Sequence, residues 1–287
     1  MHDDEMKQRE FNSWTSVAAG WRKHDESLRR NTGGVTARML DLAHLATGDK
    51  LLDMACGTGE PAIPAALRVG PTGYVAASDL VEEMVVIARQ KAAAQGLSNI
   101  EFRVADAEQL RLNASSVDAV TIRWGMMFMP DPLAALKTAH GALKPGGRIV
   151  VANWAGPEKN PWASVALSVL KRHVDIPPPA PGSTGLYSFA DPARCSAMLG
   201  EAGFHDIHVE SLEVPVIDVA DGNEYFTWVR EMAGPIASIY ARMPADLQAL
   251  VAGEVAAEAQ AQSQRRGKVK LSGTTWIASA CRQGHGT

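Results

Sequence analysis

Apolar positions at the start of the chain follow a helical period. Phe11, Trp14, Val17, Trp21 and Leu28 are spaced by three, four and seven, which puts them on one face. A second helix is predicted from Val35 to Ala46, with Met39, Leu42 and Ala43 inward, and Thr47-Gly48-Asp49 turns the chain after it. From residue 50 the pattern alternates. Short apolar runs at Lys50 to Ala55, Tyr74 to Ser78, Ile100 to Val104, Val117 to Ile122 and Arg148 to Ala152 read as strands. Between them lie helices at Glu60 to Val69, Val81 to Gln95 and from Asp131-Pro132 onward, punctuated by Gly70-Pro71, Gly96 and Lys144-Pro145-Gly146-Gly147.

Strand–helix alternation implies an α/β fold, a doubly wound and mostly parallel sheet with helices on both faces. A ligand then binds outside the carboxyl ends of the strands. Beyond residue 153 the order is looser. Trp162, Val165, Ala166, Val169 and Leu170 suggest a helix, and Pro177 to Gly182 an exposed loop. Asp191-Pro192 opens a helix ending at Gly203, Ile207 to Ile217 is extended, and Thr275 to Ala280 is a last strand. Residues 223 to 262 read as helical, interrupted at Gly234-Pro235. The predicted organisation is therefore N-terminal helices at 1–46, a core at 47–222 and 268–287, and a helical insertion at 223–267.

Composition narrows the class. A net charge of −4 over 287 residues gives no general attraction to nucleic acid or anionic lipid. The run from Arg265 to Lys270 reads as a solvated loop. Cys56, Cys195 and Cys281 are odd in number and widely spaced, so neither a disulfide framework nor a zinc cluster is expected. His205 and His208, three apart on a strand, point to opposite faces, so no metal is expected there. The start is acidic and no apolar run is long enough to span a membrane, so a cytoplasmic protein without stable membrane insertion is expected.

The chemistry gathers around Gly57-Thr58-Gly59, between a strand and a helix. Glycines let the backbone approach a ligand, and the helix start offers free N–H groups. With Ala62 and Asp79, the same loop also fits a dinucleotide and an NAD-dependent oxidoreductase. Asp53, four residues before Gly57, favours a cationic ligand such as S-adenosylmethionine over a pyrophosphate. Asp79 could accept bonds from ribose hydroxyls, and Asp106 could face an adenine amino group. Each acid has a structural alternative: Asp79 as a cap paired with Glu82, Asp53 as a helix-dipole partner, Asp106 as a turn residue.

The segments Leu52 to Gly59, Ser78-Asp79-Leu80, Ala105 to Glu108 and Leu143 to Gly147 resemble the class I S-adenosylmethionine-dependent methyltransferases. The nearest group includes the ubiquinone- and menaquinone-biosynthesis enzymes, and the likeness covers roughly residues 35 to 155. It implies a Rossmann-like fold, N-terminal lid helices that bring Trp21 near the ligand, and S-adenosylhomocysteine as product. It implies that Asp53, Ala55, Gly57, Thr58 and Gly59 hold the methionine end, Asp79 and Leu80 the ribose, and Asp106-Ala107 the adenine. Arg123 and Trp124 would lie near the transferred methyl. Ala55 stands where the family often has glycine.

The acceptor is less legible. Trp124, Met126, Met127 and Phe128, with Tyr187 and Trp228, suit a small, largely apolar and quinone-like molecule methylated on O, C, N or S. Of the histidines, His24 is the candidate general base, with helix packing as its alternative; His140 reads as core. Trp228 and Met232 could equally form a homodimer interface. A protein that binds S-adenosylmethionine without transferring methyl is the remaining alternative.

Overall fold

The computed structural model describes residues 2–180, 182–263 and 267–284, with side chains from residue 4 onward. Pro181 of the proline loop and Arg265 and Arg266 of the basic run lie outside the described residues.

A long helix, α1 (His2–Leu42), leads into β1 (Lys50–Met54), α2 (Ala62–Val69), β2 (Tyr74–Asp79), α3 (Glu82–Ala94) and β3 (Ile100–Val104). Then come β4 (Val117–Arg123), α4 (Pro132–Ala142), β5 (Leu143–Trp154), α5 (Pro161–His173), α6 (Pro192–Glu201) and β6 (His205–Val219). Helices α7 (Gly222–Met232), α8 (Gly234–Ala241) and α9 (Ala245–Gln262) precede β7 (Val269–Cys281). The described strands form one seven-stranded sheet in the order β3-β2-β1-β4-β5-β7-β6. β1 to β5 pair in parallel, whereas β7 runs antiparallel to both β5 and β6. The order reverses between β1 and β4, which opens a crevice at their carboxyl ends.

β1 is buried at every position after Lys50, as a strand covered on both faces must be. Leu51, Leu52, Val120, Ile149, Val150 and Val151 form the sheet's share of the core.

Two expectations need correction. The two predicted N-terminal helices are one, running through Gly33 and Gly34. Glycine weakens a helix interior by about 1 kcal/mol, but Thr32, Val35, Thr36 and Met39 around the pair are buried, and that packing keeps the turn helical. Lys144 to Gly147 does not separate α4 from the next strand but belongs to β5. The register shifts there, from Val117↔Leu143 to Ala119↔Arg148, so the extra residues form a bulge.

Helices α7 to α9 lie between β6 and β7 in sequence and pack on α1 and α5. Trp228 and Met232 are only 6% and 7% exposed. They are consumed by packing within the chain and offer no face to a second copy. Among the described residues, no helix is long and apolar enough to cross a membrane.

Candidate active site

The glycine loop is fastened from below and from the side. Asp53, at the end of β1, is completely buried. Its Oδ1 accepts the Thr121 hydroxyl at 2.8 Å and its Oδ2 accepts the Ala62 N–H at 3.0 Å. Burial pushes its carboxyl up to about 7, against the lowering effects of Thr121, Arg123 and the Ala62 N–H. Both carboxylate oxygens are thus engaged by the fold itself. The carboxylate anchors the start of α2 to β4, because an unpartnered buried acid would be too costly.

Asp79, at the end of β2, is half-buried. Its Oδ2 accepts the Gly57 N–H at 2.8 Å and its Oδ1 accepts the Val81 N–H at 3.0 Å. Burial raises its carboxyl above the ordinary range. The predicted cap with Glu82 is thus replaced by a turn onto Val81 that also ties down the loop. A carboxylate has about four acceptor positions, more than these backbone groups fill. A Cβ built on Gly57 would meet nothing within 4 Å, so the space over the loop is open. The loop's backbone turns left-handed at Ala55 (φ 59°) and Gly57 (φ 51°). The family's frequent glycine at position 55 suits that conformation, which costs an alanine about 1–2 kcal/mol. Gly125 must lack a side chain, since a Cβ there would lie 2.4 Å from that of Ala55.

Helix α1 crosses over this crevice. Phe11, Trp14 and Trp21 pack on Val81 and Met84, just past Leu80. Trp14 also meets Phe128 edge-on at 4.9 Å. The indole N–H of Trp21 is buried without a partner. Asp25 Oδ1 accepts the Thr58 hydroxyl at 3.0 Å and Lys91 Nζ at 2.6 Å, while Lys91 also donates to the Thr58 carbonyl at 2.8 Å. Lys7 Nζ lies 2.5 Å from Asp106 and 2.7 Å from Glu108. Asp106 is accordingly not a free acceptor: it is paired with Lys7, and its Oδ1 takes the Glu108 N–H at 2.9 Å as a turn residue would. Ala107 beside it is buried.

At the end of β4, Arg123 donates to the hydroxyls of Thr32 and Thr36 at 3.3 and 3.2 Å. Thr36 in turn donates to Glu60 at 2.8 Å. Burial lowers the Arg123 guanidinium from its ordinary value, while Glu60, Asp53 and Asp25 support its charge. Its Nε–H is buried with no partner. The guanidinium sits 4.6 Å from the centre of the Trp124 ring. Trp124, at φ 57°, is held by its indole N–H on Thr275 at 3.0 Å and by stacking on Trp154 at 4.3 Å. Trp162 and Trp228 continue this aromatic wall, with centroids 4.9 Å and 6.3 Å apart in sequence from Trp154. Met127 is almost wholly buried, and its carbonyl accepts from Gly185 and Ser188, which draws the loop carrying Tyr187 over the carboxyl end of β4. The Tyr187 hydroxyl has no partner, and burial raises it. Met127 therefore shapes the wall from behind.

The structure thus brings the glycine loop, Asp79, Leu80, Trp21, Arg123 and Trp124 together around one crevice. Lys7, Asp25, Lys91, Glu60, Thr32 and Thr36 were not singled out from the sequence. Glu60 follows the loop directly and was open to notice; the rest sit on helix faces without a distinguishing pattern. His140 packs edge-on against Phe204 at 5.0 Å, as a core histidine does. Among the described residues, no three His, Cys, Asp or Glu side chains are grouped to hold a metal.

Residues 35–174 match the model of the ubiE/COQ5 methyltransferase family. Over 200 residues the chain is 30% identical to a demethylmenaquinone methyltransferase of Staphylococcus epidermidis, covering 67% of this chain and 76% of that one. It is 40% identical over 120 residues to the demethylmenaquinone methyltransferase of Lactococcus lactis, where the match spans 42% of this chain and only 46% of the relative. The YcgJ protein of Bacillus subtilis shares the fold, with a TM-score of 0.57 at 17% identity over 88% of this chain and all (100%) of that one.

Proposed function

The chain belongs to the ubiE/COQ5 methyltransferase family, whose members use S-adenosylmethionine, and we propose that it methylates a small, largely apolar, quinone-type acceptor in the crevice beneath α1. Membership sets aside the nicotinamide reading of the glycine loop. The observation that carries the reading is the bond between Asp79 and the Gly57 N–H, which sets a half-buried acid and an open glycine loop side by side.

The residues present fit the cofactor. Asp79 keeps acceptor positions for ribose hydroxyls, and Leu80 lines that edge. The loop from Ala55 to Gly59 and the unpartnered Nε–H of Arg123 suit the methionine end, whose carboxylate needs a donor. Asp106 and Ala107 take the adenine side, where Lys7 must share or yield its ion pair. Bound there, S-adenosylmethionine supplies an electrophilic methyl on a sulfonium that is already a good leaving group. The protein's task is alignment, which can contribute about 7–11 kcal/mol in well-oriented systems. Trp124 and its stacked partner give the acceptor a flat wall, and α1 keeps water away. The quinone-type class rests on the named activity of the Staphylococcus relative and on the aromatic wall.

A panel of hydroquinones, phenols and thiols, screened for release of S-adenosylhomocysteine, tests this reading. The hydroquinones should turn over fastest; thiols alone turning over would overturn the acceptor class.

A further inference from the structure

We propose that His24 and Glu231 form a base dyad for this active site, and hence that the acceptor presents an ionisable hydroxyl; the inference rests on the methyl transfer proposed above. The Nε2 of His24 lies 2.6 Å from a carboxylate oxygen of Glu231. A carboxylate accepts, so this contact places the ring proton on Nε2 and leaves a lone pair on Nδ1. Nε2 makes the one side-chain hydrogen bond found for His24 among the described residues, and the side chain is 18% exposed. That is the arrangement of a general base steadied by an acid.

The dyad's position fits the role. Asp25, the next residue, is bonded to Thr58 of the glycine loop, so the turn that carries His24 is pinned at the cofactor's methionine end. The His24 ring lies 6.2 Å from that of Trp228, at the far end of the wall that begins with Trp124. The two halves of the dyad come from α1 and α7, brought together where Gly20 lets the helices touch; a Cβ there would fall 1.9 Å from the Glu231 carbonyl. The charged neighbours are few. Lys23 shares the Glu231 carboxylate at 2.7 Å and is well exposed. Asp25 is committed to Thr58 and Lys91, and Arg230 of α7 lies over the rings of Phe226 and Tyr240. From α8, Tyr240 turns its hydroxyl to the Gln248 carbonyl.

In the step, the acceptor O–H gives its proton to His24 Nδ1 as its oxygen, or the ring carbon it activates, takes the methyl. The electron pair of the broken carbon–sulfur bond stays on sulfur. With a ring carbon as acceptor, that carbon's own proton passes to water as the ring regains its aromaticity, and the phenolate oxygen so regenerated takes a proton back from solvent. Glu231 stabilises the imidazolium, which then returns its proton to solvent.

Two measurements test this. The first is ring-nitrogen NMR of His24 in complexes with S-adenosylhomocysteine and with sinefungin, which carries an ammonium in place of the transferred methyl. His24 should hold its proton on Nε2 in both, and its Nδ1 resonance should differ between the two complexes, because only sinefungin sets a cation at the transfer point. An Nδ1 resonance that is the same in both would place the dyad away from the transfer point and overturn the proposal, whatever the acceptor. The second is turnover of 1,4-naphthohydroquinone. His24→Gln should lose ~100-fold in kcat with KM for S-adenosylmethionine unaltered, and should lose the acid limb of the pH profile. Glu231→Gln should lose less and move that limb. A His24→Gln enzyme that keeps both rate and limb refutes the base. If neither nucleoside ligand binds, the methyltransferase reading itself fails and takes the dyad with it, an outcome distinct from bound ligands with a silent His24.

Discussion

Asp79 Oδ2 accepts the backbone N–H of Gly57 at 2.8 Å, so the acid ending β2 positions the loop that follows β1. Its other oxygen holds the Val81 N–H at the approach to α3. One side chain thus joins two strand ends across the ligand crevice.

Asp79→Ala leaves both N–H groups without that acceptor and removes the ribose partner. Affinity for S-adenosylhomocysteine should weaken by about 1.5–3 kcal/mol, the scale of a hydrogen bond to a charged group. Titration calorimetry measures it. A variant that loses stability but binds as tightly as the parent would reduce Asp79 to a structural cap.

Asp53 gives a pH dependence of defined sign. Its folded-state value of about 7 lies above its ordinary value of 3.8. The folded state therefore holds a proton that the unfolded chain releases, and stability from this group is full below about pH 4 and is lost as pH rises through about 7. Asp53→Asn keeps an acceptor for Ala62 and a donor towards Thr121 without ionising. Denaturant unfolding at a series of pH values should show the Asn variant gaining on the parent between about pH 4 and 7 and holding that gain above it. A constant difference would mean that Asp53 ionises in the folded protein as it does unfolded.

Lys7 fastens the start of α1 to Asp106 and Glu108. Partly exposed ion pairs contribute little, about 0–1 kcal/mol, so Lys7→Ala should barely change global stability. Hydrogen exchange should still quicken from residues 4 to 14, because this pair holds a helix end and not the core. Unchanged protection would assign closure to Phe11 and Trp14 alone.

Two glycines of α1 should respond oppositely to alanine. At Gly20 the added methyl strikes the Glu231 backbone, so Gly20→Ala should destabilise by about 1–3 kcal/mol. At Gly34 it meets nothing within 4 Å on an exposed face, so Gly34→Ala should stabilise by about 1 kcal/mol. Thermal unfolding distinguishes them, and equal shifts would contradict the close crossing of α1 and α7.

The alternation from β1 to β5 was legible because those strands are buried apolar runs separated by Gly and Pro. The single α1 was not, since Gly33-Gly34 lowers local helix preference and only packing restores it. Asp79 was readable from its place at a strand end. Its partnership with Gly57 was not, nor were Asp25 with Thr58, Lys7 with Asp106 or His24 with Glu231, separated by 33, 99 and 207 positions. Such pairs arise from the fold's closure, to which local periodicity is blind. Asp53 shows the converse: its position announced a site acid, yet its depth makes it an anchor.

Methyl transfer to a quinone-type acceptor can be followed by isotope transfer. The protein is incubated with trideuteromethyl-labelled S-adenosylmethionine and 1,4-naphthohydroquinone or its ring-substituted relatives, and products are read by mass spectrometry. A product carrying the intact labelled methyl should form, in equal amount with S-adenosylhomocysteine. Tight binding of S-adenosylmethionine with no label reaching any hydroquinone would rule out a quinone-type acceptor.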